Sequence, residues 1–435
     1  MEPLTIGILS IALLLALIFS GVHIAISMGV VGFAGLVSIM NFSAALSVTA
    51  ISFYVTGSSY SFIVLPLFII MGELAAASGI MVGAYRFAAT WLSGLRGGLY
   101  LVTTFACALF AGCTGSSAAT AIAVGKSVLP EMLRLKYNRS LSLGCIAVCG
   151  TLGVMIPPSV AFVIYAIATE ESIGRLLLAG IMPGILTASM YMAGTSILVR
   201  IKPALAPPTV HHSWPERFRS VPGVLGVFFL FSIVMGGIYS GFFTPNEAAA
   251  WGAFAAMLLV IRKKGQFLGI TKQAALETIA TSAMIFLLLM TATIFTKFLT
   301  LAGFVDAMSK AVLDSGFNPY VILMLFIVIC IILGMFLNAG SVIILIAPLA
   351  HKALVPLGFD GIWLGVIMVK MFELAVITPP VALNLYVTQT LIPESTIGEV
   401  IHGTIPYLVM ECVSIFILIL FPQISTWLPS IAYGK

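Results

Sequence analysis

The sequence predicts an all-α polytopic membrane protein built from two inverted-topology repeats. Three observations lead to this prediction. The 435 residues are 61% hydrophobic and 8% charged, whereas about 25% of the residues in an average soluble domain are charged. Apolar runs of roughly 17 to 25 residues, long enough to cross about 30 Å of hydrocarbon, fill most of the chain. Short polar interruptions recur at matching positions in the two halves.

The polar interruptions form two pairs. The first half contains residues 112–117 (GCTGSS) and 156–159 (IPPS), and the second half contains 338–341 (NAGS) and 378–380 (TPP). The Pro-Pro pairs lie 222 positions apart, and the same offset carries Ser116 to Asn338. Breaking a helix inside a bilayer leaves unpaired backbone groups that cost several kcal/mol each. Paired breaks in two halves are the best sequence indication of a transporter's binding site near the midplane.

Residues 1–199 form the predicted first repeat. Its scaffold helices lie within 4–79, where 44–57 is a short connecting or surface segment. Both ends of the next apolar segment are basic, so we predict a re-entrant hairpin rather than two crossings. A proline pair removes two N–H donors and interrupts the helix that follows. The predicted elements are crossings at 4–22, 22–40 and 60–79, a hairpin at 98–133, a broken helix at 141–169 and a crossing at 173–199.

Residues 222–421 form the predicted second repeat, after a cytoplasmic connecting loop at 200–221 that is rich in Pro, Arg and His. Each half then has five crossings and one hairpin, and an odd number of crossings turns the second copy upside down. Residues 422–435 are predicted as an interfacial tail. The elements are scaffold helices within 222–300 (222–240, 246–261 and 274–300), a hairpin at 319–356, a broken helix at 361–391 and a crossing at 399–421.

The charges orient the chain. Short loops rich in Lys and Arg stay in the cytoplasm, and the intervening connections at 170–171, 241–246 and 306–314 are short or acidic. We therefore expect the acidic connections and both termini on the outer side. The basic groups are Arg86 and Arg96; Arg134, Lys136 and Arg139; Arg200, Lys202, Arg217 and Arg219; and Arg262, Lys263, Lys264 and Lys272.

The composition of the breaks indicates what they bind. Thr114, Ser116 and Ser117 offer hydroxyl oxygens, and the glycines allow backbone carbonyls to turn inward. Such oxygens are hard ligands, and without formal charge they would hold a monovalent cation such as Na⁺ weakly. The half-helices that begin near Ser117 and after Pro158 present free N–H groups, which favour an anion. Together these groups predict a cation and an anion bound at one place.

Other interpretations were weighed against this one. Small residues at a single break could serve only helix packing, but four breaks at matched spacing favour binding. An intramembrane enzyme needs a constellation such as Ser/His, paired Asp or HExxH, which the breaks lack, so we expect no enzyme. Hairpins from opposite sides would block a passive channel. For the intramembrane charges Glu73, Lys370 and Glu373, functional and structural roles are equally compatible with the sequence.

At these residues the sequence resembles a known family, over nearly its whole length. It is similar to the large membrane (M-type) subunit of tripartite ATP-independent periplasmic (TRAP) transporters, within the ion-transporter superfamily. The matching motifs are 65–68 (LPLF), 110–116 (FAGCTGS), 157–159 (PPS), 179–184 (AGIMPG), 241–247 (GFFTPNE), 334–336 (GMF) and 378–380 (TPP).

The resemblance implies a Na⁺-driven importer of the bacterial inner membrane, with an elevator mechanism in which hairpins and broken helices move against the scaffold. Its substrate would be a small organic anion, a carboxylate such as a dicarboxylate or a sugar acid like sialic acid. A soluble periplasmic binding protein would deliver the substrate, and a small four-helix membrane subunit, expected as a separate chain, would be the partner. No organic cofactor is implied. The alternative is a stand-alone Na⁺/carboxylate carrier of the same superfamily.

The breaks and the resemblance together predict the site residues. Two departures from the family pattern concern the second half: Asn338 stands where Asp is frequent, and Ala382 where Gly is frequent. Asn keeps an oxygen ligand but loses the charge, so we expect the second cation site to be weaker or differently arranged. The predicted substrate-binding residues are Thr114, Ser117, Ser159 and Asn384. The predicted Na⁺ ligands are Thr114, Gly115, Ser116, Gly150, Gly153, Pro157, Asn338, Gly340, Thr378 and Pro379.

Overall fold

The computed structural model describes residues 2–207, 212–261, 263, 265–379, 382–392 and 394–434. The described residues form helices joined by short connections, with no strand among them. Part of the connecting loop (208–211), two basic residues (Arg262 and Lys264) and the second proline of the 378–380 break (Pro380) lie outside the described residues.

The first half contains twelve helices among the described residues, including one at Ile80–Leu92, for which no helix was predicted. A 3₁₀ turn at Tyr60–Ile63 precedes the fourth helix. The helices are α1 (Pro3–Phe19), α2 (Ile24–Ile39), α3 (Phe42–Gly57), α4 (Val64–Ser78), α5 (Ile80–Leu92), α6 (Gly98–Thr114), α7 (Ser117–Arg134), α8 (Arg139–Cys149), α9 (Leu152–Met155), α10 (Val160–Thr169), α11 (Ile173–Ala179) and α12 (Ile181–Ile201).

The second half begins after the connecting loop, which itself contains a short helix. A π-helical turn at Ser232–Gly236 interrupts the first crossing. The helices are α13 (Trp214–Ser220), α14 (Leu225–Phe231), α15 (Gly237–Tyr239), α16 (Pro245–Ile261), α17 (Phe267–Leu301), α18 (Phe304–Asp314), α19 (Pro319–Gly334), α20 (Ala339–Leu354), α21 (Gly361–Ala375), α22 (Leu383–Gln389), α23 (Ile397–Leu420) and α24 (Gln423–Tyr433).

Helix lengths fit a multi-pass membrane protein. Among the described residues, five helices are long and apolar enough to cross a membrane, and two bent pairs raise that number to seven if each pair is one span. One bent pair joins Arg139–Met155 to Val160–Thr169 at 45°, which is the predicted broken helix. Six further apolar helices have 10 to 17 residues. In each hairpin, at most one arm is among the helices long enough to cross a membrane.

Three predicted boundaries differ from the structure. Residues 44–57 are not a connecting segment but most of the regular helix α3, which Asn41 caps by accepting a hydrogen bond from the Ala44 N–H at 2.8 Å. The first hairpin breaks only at Gly115 and Ser116, so 112–114 remain helical. The second breaks at 335–338, because the Asn338 side chain caps α20 and starts that helix at Ala339. A side-chain cap satisfies an N–H that lacks a helical partner and fixes where a helix begins.

The helices pack in two groups. In one group, α17 packs against α2, α3 and α4, and α4 packs against α16. The other group contains both hairpins and both broken helices, in which α8 packs against α23, α10 against α20, and α22 against α7. Elements of the two halves therefore interlock in each group. The tail is the helix α24, which packs on α11 and α12.

The basic segments meet at one end of the molecule. The Tyr100 hydroxyl, at the base of the first hairpin, donates to the Leu205 carbonyl at 2.9 Å. The Thr90 hydroxyl of α5 donates to Ser220 at 2.8 Å, and Lys263 Nζ donates to the Ala77 carbonyl at 2.7 Å. Acidic residues lie near the base of the second hairpin, where Glu171 pairs with His351 at 2.9 Å.

Candidate functional site

The two hairpin tips and a broken helix surround one cavity of about 270 Å³. Helices α4 and α17 also line it. The lining residues are Ile69, Glu73, Thr114, Gly115, Ser116, Ser117, Ala118, Val154, Val160, Ala161, Ile164, Thr281, Met284, Ile285, Leu288, Asn338, Gly340, Phe372 and Leu383. Six of the predicted site residues therefore share one cavity: Thr114, Gly115, Ser116, Ser117, Asn338 and Gly340.

The first hairpin tip holds a compact group of oxygens. The hydroxyl oxygens of Thr114 and Thr120 lie 2.7 Å apart. Thr120 also donates to the Ser116 carbonyl at 2.8 Å. Ser116 caps α7 by accepting a weak hydrogen bond from the Ala119 N–H at 3.5 Å. Gly115, with φ +61°, provides the left-handed turn between the two arms, a conformation that glycine adopts without steric cost. The tip thus concentrates neutral hard ligands.

Two glycines bring the broken helix against these oxygens. A Cβ built on Gly150 would lie 3.0 Å from the Ser117 carbonyl oxygen, and one built on Gly153 would lie 2.6 Å from that of Ser116 and would also collide with the Thr120 hydroxyl. Only a residue without a side chain allows this approach. The structure therefore places the predicted residues Gly150 and Gly153 beside the oxygens of the first tip.

The break at 156–159 adds a buried hydroxyl. Ser159 begins α10 and has no exposed surface, and among the described residues its Oγ has no hydrogen-bond partner. Such an unpaired buried hydroxyl costs about 1–3 kcal/mol unless something binds it. The carbonyl oxygen of Pro157 would lie 3.5 Å from a Cβ built on Gly112. The carbonyl oxygen of Pro158 would lie 3.1 Å from a Cβ built on Gly115. Pro157 and Pro158 thus turn their carbonyls toward the first hairpin, whereas the described cavity lining includes neither Pro157 nor Ser159.

The second half contributes differently. Asn338 and Gly340 line the cavity, but the Asn338 Oδ1 already accepts the Ser341 N–H at 3.0 Å. The Thr378 hydroxyl donates to the Leu374 carbonyl at 2.6 Å. Among the described residues, the cavity lining includes neither Thr378 nor Pro379. The structure therefore brings Asn338 and Gly340 to the first tip's cavity, rather than pairing them there with Thr378 and Pro379.

Asn384 links the second broken helix to the first. Its Nδ2 donates to the Ala147 carbonyl at 3.0 Å, and its backbone N–H donates across the break to Val376 at 3.2 Å. Asn384 has no exposed surface, and its Oδ1 has no partner among the described residues. It lies outside the cavity lining. Its predicted substrate contact is therefore not part of this cavity.

A second, larger cavity of about 560 Å³ lies beside the C-terminal half of α17, between α17 and α20. Lys297 and Lys352 line it, and Glu170 lies at the same cavity. No ion pair or hydrogen bond engages either lysine among the described residues. Thr293, Thr296 and Thr300 add hydroxyls along one helix face. The two lysines outnumber the one acidic residue, Glu170, in the described lining, and the remaining positive charge favours an anion.

Sequence reasoning missed several residues of these cavities. Thr120 was not selected, although it follows Ser116 by one helical turn and such spacing places side chains on one face. Thr281 of α17 lines the first cavity from a scaffold helix without any nearby break to mark it. Lys297 and Lys352 meet only through tertiary packing, so no local pattern indicated them. Glu73, whose role stayed open, lines the cavity as its one acidic residue in the described lining.

Comparisons with known proteins give the family. Residues 11–424 match the family described as "Tripartite ATP-independent periplasmic transporter, DctM component". A C4-dicarboxylate TRAP transporter large permease protein of Pseudomonas aeruginosa is 34% identical over 401 residues, which cover 92% of this chain and 93% of that protein. A sialic acid TRAP transporter large permease protein of Vibrio cholerae is 28% identical over 428 residues, covering 97% of each chain.

The fold is also similar to a solved structure. The crystal structure of the Alcanivorax borkumensis YdaH transporter superimposes with a TM-score of 0.64 at 15% identity, over 90% of this chain and 89% of that one. At this identity the similarity concerns the fold alone. The family match spans the hairpins, both broken helices and the cavity between them, and relatives of similar length are named as permeases. The chain belongs to the DctM family of tripartite ATP-independent periplasmic transporters, as a multi-pass large permease subunit.

Proposed function

We propose that this subunit imports a small organic anion, a carboxylate, by coupling its movement to Na⁺ across the bacterial inner membrane. The observation that carries the proposal is the cavity of about 270 Å³ in which oxygens of the first tip lie beside two helix N-termini. The Thr114, Thr120 and Ser116 oxygens are suited to a monovalent cation. The N-termini of α7 and α10 favour an anion.

Coupling follows from this proximity. A cation bound among neutral oxygens leaves a net positive charge, and an anion a few ångströms away lowers the free energy of the pair. Each ligand then raises the affinity of the other by the same factor. The buried, unpaired Ser159 hydroxyl supports the cation site, because a ligand there would satisfy it.

The class of substrate rests on charge. The N-termini of α7 and α10 supply positive dipole ends, and the neighbouring cavity holds Lys297 and Lys352. The relatives' names include C4-dicarboxylate and sialic acid, and both compounds carry carboxylates. We propose a dicarboxylate or a sugar acid, delivered by a periplasmic binding protein. A separate four-helix membrane subunit would complete the transporter.

Transport itself tests the coupling. The subunit, reconstituted in liposomes with its cognate membrane subunit and binding protein, should take up carboxylates when Na⁺ is outside, and not when K⁺ replaces it. Ser159→Ala and Thr114→Ala should lower both the rate and the Na⁺ dependence, by about 1–3 kcal/mol per lost partner. Ser430→Ala is the matched control, because that hydroxyl is exposed and bonds only within its own helix. Unchanged Na⁺ dependence in both site variants would place the site elsewhere.

The proposed topology puts the basic end in the cytoplasm and both termini in the periplasm. Cysteines at Ser213, near the basic end, and Ser315, after α18, should react with impermeant reagents from opposite sides. Cys412 is the one exposed native cysteine among the described residues, so Cys412→Ser provides the background. Labelling of both positions from the same side would contradict the inverted arrangement.

We also propose elevator motion of the hairpins and broken helices against the scaffold. Scaffold helix α4 meets hairpin helix α6 closely, since a Cβ built on Gly72 would lie 3.0 Å from the Cys113 carbonyl oxygen. A cysteine at Gly72, oxidised together with the native Cys113, should stop uptake, and reduction should restore it. Full uptake after complete cross-linking would exclude motion between these helices.

A further inference from the structure

Three charged side chains lie buried together, apart from both cavities. Lys370 and Glu373 are on α21 and Glu411 is on α23, and none has exposed surface. The Lys370 Nζ lies 2.7 Å from the Glu373 Oε2 and 2.5 Å from the Glu411 Oε1. It also donates to the Thr187 hydroxyl of α12 at 3.1 Å. The group therefore joins three helices.

The charges in this group do not balance. Lys370 has three N–H donors, and three oxygens surround them. With both carboxyls ionised, one positive charge faces two negative charges, which leaves an excess of one negative charge. An uncompensated charge in a buried site is strongly unfavourable. The group therefore requires one more positive charge.

The hydrogen bonds identify the carboxyl that lacks compensation. Glu411 is better compensated, because its Oε1 lies 2.5 Å from the Lys370 Nζ and its Oε2 accepts from the Tyr191 hydroxyl at 2.6 Å and from Ser414 at 3.3 Å. Glu373 is less compensated, because its buried Oε1 has no hydrogen-bond partner among the described residues. The missing charge belongs at this oxygen.

The neighbours of Glu373 include one hydroxyl. The Thr151 hydroxyl faces the Glu373 carboxyl and donates its own hydrogen to the Val148 carbonyl at 2.7 Å. With that donor engaged, its oxygen can accept a hydrogen bond from a protonated Glu373 carboxyl. The titratable groups that face Glu373 are Lys370 on its own helix, Glu411 on α23 and Tyr191 on α12.

We infer that Glu373 is a proton-binding site, with an exchangeable proton on Oε1 that keeps the Lys370–Glu373–Glu411 group neutral. Glu373 lies on the helix that leads directly into the 376–382 break, so loss of the proton would put a negative charge beside this break. The inference concerns proton occupancy and holds whether or not Na⁺ drives uptake.

Infrared spectroscopy of the purified subunit at neutral pH tests the inference. A protonated buried carboxyl gives a C=O stretching band that shifts in D₂O. The band should be present in the wild type and lost in Glu373→Gln. It should persist in Glu73→Gln, the control at a separate intramembrane glutamate, which contacts Glu277. A band unchanged in Glu373→Gln would overturn the assignment, and so would its absence from the wild type.

Two further variants keep the test decisive if Glu373→Gln folds poorly. Lys370→Met removes the one positive charge, so a second carboxyl should bind a proton and the band area for this group should about double. A band lost in Glu411→Gln but kept in Glu373→Gln would move the proton to Glu411 and contradict the inference. A wild-type band that appears only when Na⁺ is withdrawn would show a Na⁺ site instead.

Discussion

The two hairpin tips occupy corresponding positions in the two halves, yet they are built differently. The first turns in two residues, Gly115 and Ser116, and holds the paired hydroxyls of Thr114 and Thr120. The second turns over four residues, 335–338, and its one polar side chain, Asn338, is used as a helix cap. Both tips line the same cavity.

The difference indicates that breaks at matching positions of the two halves need not have equal roles. At the first tip, Gly150 and Gly153 let the broken helix approach the tip oxygens. At the second tip, the Asn338 Oδ1 accepts the Ser341 N–H, and in the second broken helix the Thr378 hydroxyl donates to the Leu374 carbonyl. We therefore expect the first tip to provide the stronger cation site. Variants matched between the tips should separate these roles.

The largest effect on the Na⁺ dependence of uptake should come from filling the space between the first tip and the first broken helix. In Gly153→Ala, the new Cβ would collide with the Thr120 hydroxyl and the Ser116 carbonyl. Overpacking of this kind costs about 1–3 kcal/mol, so the half-saturating Na⁺ concentration for uptake should rise about 5- to 150-fold. Gly236→Ala is the control, because no atom lies within 4 Å of a Cβ built there. Equal Na⁺ dependence in the two variants would contradict the role of the first tip.

A smaller loss is expected when one hydroxyl is removed without adding volume. Thr120→Val deletes the group that bonds Thr114 and the Ser116 carbonyl, and should weaken Na⁺ binding by about 1–2 kcal/mol. Thr404→Val removes a buried hydroxyl that bonds only one turn back in its own helix, and should leave Na⁺ dependence unchanged. Uptake assays over a range of Na⁺ concentrations compare the two. The account fails if Thr404→Val has the larger effect.

At the second tip, added charge should strengthen a weak site. Asn338→Asp keeps the cap on the Ser341 N–H, because an Asp oxygen accepts it equally well, and adds a negative charge at the cavity. Half-saturating Na⁺ should fall a few-fold. Asn318→Asp makes the same change in an exposed cap of the same hairpin, where Asn318 accepts from the Tyr320 N–H at 2.9 Å. A similar fall in half-saturating Na⁺ in both variants would mean that any added negative charge on the hairpin has this effect, whether or not it lies at the cavity.

The smallest effect concerns stability at the second break. Ala382 adopts φ +38°, a left-handed conformation that costs a residue with a Cβ about 1–2 kcal/mol. Ala382→Gly should raise the melting temperature of the purified subunit. Ala375→Gly, at the end of the regular helix α21, should lower it by a comparable amount, because glycine destabilises helices by about 1 kcal/mol. A lower melting temperature in Ala382→Gly would show that this backbone is not strained.

The sequence predicted what depends on local pattern. Helix order and the pairing of the breaks follow from apolar runs and from Gly, Pro and Asn at fixed positions. The exact positions of the breaks do not follow from these patterns, because a single side-chain cap, that of Asn338, makes α20 begin at Ala339. Thr120, Thr281 and the two cavity lysines escaped detection because long-range packing brings them to the cavities. Asn338 and Thr378 make separate local hydrogen bonds, and their joint role in a second cation site stays a prediction.

The most direct test of the first-tip site is binding of radioactive Na⁺ to the purified subunit at equilibrium, with no substrate or partner present. The account predicts saturable binding in the wild type and in Thr404→Val. It predicts about tenfold weaker binding in Thr120→Val and a further loss in Gly153→Ala. Wild-type affinity in both first-tip variants, together with lost binding when Thr378 is replaced by Val, would contradict it.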